Sequence, residues 1–109
     1  MRTYCEQSMK LLIPSIRALL AQILIDKYGF TQVHTAKLLG LTQPAISYYL
    51  GSKRGAKAIK AIKDNRELVT RIESLAGEIA REEIDVSTAI CEICRIIRGS
   101  KEVLKSIYS

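Results

Sequence analysis

Tryptophan is absent from this 109-residue chain, and phenylalanine and histidine each occur once. One histidine, His34, leaves no His-rich metal set and no nucleophile–base pair that can be named. There is no glycine-rich phosphate loop and no cluster of carboxylates on an apolar face, so an enzyme is not expected. No run of 18 apolar residues exists. The longest apolar stretch, Leu11 to Ile25, is interrupted by Pro14, Arg17 and Gln22. It is too short to span a bilayer and too charged for the core of a signal peptide, so the protein is expected to be soluble and cytoplasmic. No alternating strand pattern, internal repeat or low-complexity tract is found, and the fold class expected is all-α. One further absence is local. Between Thr31 and Lys63 there is no Asp or Glu, while Lys37, Lys53, Arg54, Lys57, Lys60 and Lys63 all fall there. The rest of the chain balances at 17 − 6 = 11 basic residues against 11 acidic ones, so the net charge of +6 resides in this one span. A one-sign block of this kind suits a polyanionic partner.

Within that span, Thr31 to Leu50 reads as two short helices joined by a tight turn. Thr31 has the chemistry of an N-cap. Val33, Ala36 and Leu39 fall on one face of the first helix, with Leu38 beside it. Gly40 suits the left-handed residue that ends it. Leu41 would plug the corner and Thr42 would cap the second helix. Pro44 would occupy that helix's first turn, where a missing N–H costs little. Ile46 and Leu50 are expected on its buried side. Gln43, Ala45, Ser47 and Tyr48 are expected on its outer side. The spacing of Gln32, Ala36, Gly40, Thr42, Ile46 and Ser47 resembles the phage-repressor type of helix-turn-helix.

Before it, Leu12, Ile16, Leu19, Leu20, Ile23 and Leu24 form a helical stripe ending near Lys27 and stopped by Gly29. Pro14 either opens this helix or lies inside a longer one beginning near Glu6. Tyr28 and Phe30 are expected beneath the helix-turn-helix. After it, Gly51 to Gly55 reads as a basic loop, and a helix is expected over Ala56 to Lys63. Asp64 and Glu67 have the spacing of a capping box. They predict a helix to about Glu83 with Leu68, Ile72, Leu75 and Ile79 along one seam. Ser87 is a candidate cap for a helix over Thr88 to Arg98, apolar on most faces, and a short helix is expected to reach Tyr108. These features divide the chain into a helix-turn-helix domain, 1–63, and a helical extension for dimerisation, 64–109. The dimer interface is expected at Leu68, Ile72, Leu75, Ile79, Ile90, Ile93 and Ile97.

Three cysteines occur, Cys5, Cys91 and Cys94. At i, i+3 on a helix, Cys91 and Cys94 share a face. They are read as small buried or interface thiols, with a redox role, a metal or iron–sulfur site, or a disulfide from Cys5 as alternatives. No cofactor is required.

The chain resembles a group of small archaeal helix-turn-helix regulators of the phage-repressor (Xre/Cro-like) class. The resemblance rests on Cys5-Glu6, Pro14-Ser15-Ile16-Arg17, the motif from Gln32 to Gly51, and Cys91-Glu92-Ile93-Cys94-Arg95-Ile96-Ile97-Arg98. It implies a transcriptional regulator that binds double-stranded DNA as a homodimer, and it joins the three cysteines as a candidate set. Some members carry a ligand-sensing domain after this unit, and none is expected here. With the second motif helix (about 43–50) in the major groove, Thr42, Gln43, Ala45, Ser47 and Tyr48 are the candidate base contacts. Gln32, Lys53, Arg54, Lys57 and Lys60 are the candidate phosphate contacts. The competing expectation is a protein-interaction module, antitoxin-like or an assembly subunit, in which DNA binding is secondary.

Overall fold

A computed structural model describes residues 2–51 and 56–108, and the side chains of these except 2–11, 56, 57, 104 and 106–108. Seven helices occur among the described residues, with no strand. They are α1 (Arg2–Asp26), α2 (Gln32–Leu39), α3 (Gln43–Gly51), α4 (Ala56–Lys63), α5 (Arg66–Ala80), α6 (Val86–Arg98) and α7 (Lys101–Tyr108). No helix among them is long and apolar enough to cross a membrane.

The molecule is organised on α1. At 1.5 Å per residue, 25 residues span about 36 Å, the full 35 Å length of the molecule. Pro14 lies inside this helix, exposed, so the longer of the two expected helices forms. Leu12, Ile16, Leu20, Ala21 and Leu24 are completely buried along it. Helices α2 to α6 all pack against α1, and α7 closes over α4 and α6. One hydrophobic cluster therefore runs from Leu12 to Val103, and residues between 68 and 103 build it together with residues between 12 and 62.

That arrangement corrects the expected dimer interface. Leu68, Ile72, Leu75, Ile79, Ile90, Ile93 and Ile97 are 0–7% exposed within a single chain. The apolar stripes of α5 and α6 meet each other and α1, so these side chains present no surface to a second copy. Cys94 lies in the same core, while Cys91, three residues earlier, is exposed.

Two helix starts and one end also differ from expectation. Asn65, not Asp64, caps α5, its Oδ1 accepting from the Leu68 N–H at 3.0 Å. Asp64 instead accepts from Lys60 Nζ at 3.3 Å. Asp85, not Ser87, caps α6 by accepting from the Thr88 N–H at 3.1 Å; hydrogen bonds from the Thr88 side chain and backbone hold its carboxyl below the usual range. Helix α5 stops at Ala80 because Glu82 takes a left-handed conformation, φ 58°. The Glu83 N–H then reaches the Glu78 carbonyl at 2.8 Å and the Glu82 N–H reaches that of Ile79 at 2.9 Å. This is the termination pattern usually built on glycine.

Candidate nucleic-acid interface

Thr31 opens α2 by accepting the His34 N–H at 3.1 Å. Gly40 closes it at φ 67°, ψ 32°. The Leu41 N–H bonds the Ala36 carbonyl at 2.8 Å and the Gly40 N–H bonds that of Lys37 at 3.3 Å. These two bonds satisfy carbonyls the helix end would leave bare, and they turn the chain within three residues into α3. Leu41 packs against the core from the corner. Thr42 then opens α3, its Oγ1 accepting the Ala45 N–H at 3.2 Å, with Pro44 in the first turn.

Burial sorts the two helices. In α2 the core face is Thr35, Ala36 and Leu39, all 4% exposed or less. Val33 is a correction, being 62% exposed. At about 100° per residue it lies roughly 60° beyond Ala36, outside the stripe that α1 covers. In α3 only Ile46 is fully buried. Leu50, expected inside, is 38% exposed. Ile46 anchors α3 at its middle, and Leu50, one turn on, leaves the core near the helix end. The exposed face of α3 holds Gln43, Pro44, Ser47 and Tyr48, with Thr42 exposed just before it. Ala45 and Tyr49 are half-buried on the flank. Tyr28 is displaced from the expected place too: its hydroxyl rests over Gly77 of α5, where a Cβ would lie 2.9 Å away. Phe30 stays with the motif, its ring centroid 4.4 Å from that of His34.

One contact was not anticipated. Gln43 Nε2 donates to Gln32 Oε1 at 2.6 Å, so the first residue of α3 is tied to the first residue of α2. The sequence carries a trace of it. The dipeptide Thr-Gln occurs at 31–32 and again at 42–43, each time as a cap followed by the first helical residue.

Lys53 and Arg54 lie outside the described residues, as do the side chains of Lys57 and Cys5. Lys60 is exposed and paired with Asp64. An exposed pair of this kind contributes at most about 1 kcal/mol, so it leaves Lys60 able to exchange its partner. The acidic turn between α5 and α6, with Glu82, Glu83 and Asp85, borders Lys37 and Leu38. It sits at the end of α2 remote from Gln32, so like-charge repulsion of a phosphate would act away from the head of α3. Among the described residues no group of three or more His, Cys, Asp or Glu side chains could hold a metal ion. Burial raises the thiol pKa of Cys94.

No family model, curated protein or solved structure matches this chain.

Proposed function

We propose that the chain is a sequence-specific DNA-binding transcriptional regulator of the phage-repressor helix-turn-helix type, acting as a dimer with α3 in the major groove. The observation that carries this reading is the Gln32–Gln43 amide pair at the head of an exposed α3. A glutamine amide has two N–H donors and one carbonyl acceptor. With one N–H given to Gln32, Gln43 keeps one donor and one acceptor. That is the complement of adenine, which offers N7 as acceptor and its N6 amino group as donor in the major groove. Gln32 thereby orients the reader, and its own amide N–H groups remain for a backbone phosphate. The Thr42 hydroxyl, accepting from Ala45, still has its proton to donate. Ser47 and Tyr48 extend the face along the groove. Lys53, Arg54, Lys57 and Lys60 follow α3 in the chain and supply the sequence-independent attraction to phosphates. Dimerisation places two α3 helices about one helical turn of DNA apart.

The test is binding of the purified chain to genomic fragments and to a random duplex across a salt series. A subset of fragments held at high salt supports the reading. A steep slope without preference would make the protein a non-specific DNA coat. Absence of binding at low salt would favour the protein-interaction alternative. Gln43→Ala should weaken the specific complex by about 1–3 kcal/mol and leave random-duplex binding unchanged.

A further inference from the structure

The exposed face of α3 is uncharged from end to end. The helix, QPAISYYLG, contains no Arg, Lys, Asp, Glu, His or Asn. Recognition of guanine in the major groove needs two donors, for O6 and N7, and is most often made by Arg or Lys; cytosine needs an acceptor for its amino group. Gln43 cannot supply two donors to guanine while one N–H bonds Gln32 Oε1 at 2.6 Å. Its remaining carbonyl would face the guanine O6, oxygen against oxygen. Ser47 can bond to any base and discriminates little. Besides Gln43 and the little-discriminating hydroxyls of Thr42, Ser47 and Tyr48, the face offers apolar surface: the exposed ring of Pro44, the ring of Tyr48, 55% exposed, and Leu50 at 38%. The apolar group that DNA displays in the major groove is the thymine 5-methyl.

We infer that α3 reads a run of A·T pairs in each half-site, an adenine against Gln43 and thymine methyls against Pro44 and Tyr48. This rests on the proposed DNA-binding reading and adds the base composition it demands. Any guanine in the site is left unspecified by α3, which has no side chain to supply its two donors.

The test begins with selection of bound duplexes from a random library by the full-length protein. Consecutive A·T pairs should be enriched at matching positions in both half-sites. Two chemical substitutions in the selected duplex then separate groove from shape. Inosine·cytosine pairs present the guanine face in the major groove while lacking guanine's minor-groove amino group. Placing one against Gln43 should weaken binding about 5- to 150-fold, as a G·C pair does. Uracil for thymine removes only the methyl and should cost about fourfold per contacted base, the equivalent of one buried methylene. If inosine·cytosine pairs are tolerated where G·C pairs are not, the preference comes from minor-groove shape, and the inference fails. It fails equally if the selected half-sites carry G·C runs. In both cases specific binding persists, so the broader reading stands. No binding at low salt, or binding without preference, overturns the broader reading and this inference together.

Discussion

Thr35 is completely buried, and its hydroxyl has no hydrogen-bond partner among the described residues. A buried, unpaired hydroxyl loses its water without compensation. Valine has the same shape without the polar atom. Thr35→Val should therefore raise stability by about 1 kcal/mol, read as a higher midpoint in urea with an unchanged slope. A loss of stability would mean that the hydroxyl has a partner. The two cysteines of α6 make an opposite pair. Cys91 is exposed, whereas Cys94 is buried and its thiol pKa is raised by that burial. Reaction with an alkylating reagent requires access and the thiolate. In the native protein, peptide mapping after brief alkylation at pH 8 should find Cys91 modified first and Cys94 only on unfolding. Equal rates would place Cys94 at the surface. In the sequence the two are indistinguishable small apolar residues, because i, i+3 spacing states that they share a face but not how far that face is covered.

At the scale of the element, the helices were largely legible and their ends less so. The α2–α3 turn followed from local chemistry alone. Thr31, Gly40, Thr42 and Pro44 act on backbone groups within a few residues of themselves. The start of α5 did not follow, because Asp64 and Asn65 are both good caps and sit side by side. The structure uses Asn65 for the Leu68 N–H and Asp64 for Lys60. Asn65→Ala should cost about 1 kcal/mol, as loss of a cap does. Asp64→Ala, which removes only an exposed ion pair, should cost no more than a few tenths. Thermal or urea denaturation of the two variants separates them, and a larger loss at Asp64 would restore the capping box. The end of α5 at Glu82 was hidden for a related reason. Nothing in a glutamate announces a left-handed backbone, and it is held there by the two carbonyl bonds of the turn.

The whole molecule changes the meaning of the C-terminal half. Helices with apolar seams in so small a chain suggested a subunit interface, yet α5 and α6 turn those seams onto α1 and onto each other. Ile93 is completely buried in this shared core. Ile93→Ala should destabilise the fold by about 2–5 kcal/mol through lost contacts and a residual cavity. Light scattering should show the same oligomeric state before and after the substitution, at a temperature where both are folded. Dissociation without destabilisation would return Ile93 to an interface. Periodicity identifies which residues of a helix avoid water. It carries no information on whether the neighbour that excludes the water belongs to the same chain.

The sequence by itself determined the helical class, the α2–α3 turn and the placement of positive charge, since each depends on propensities, caps or counts that are local. Only the tertiary structure decided three further things: that α1 gathers residues from Leu12 to Val103 into one core, that Cys91 and Cys94 fall on opposite sides of its boundary, and that Gln32 and Gln43 join. These rest on contacts between residues far apart in the chain or on different elements. Their distances are set by how the helices pack, which no single segment encodes.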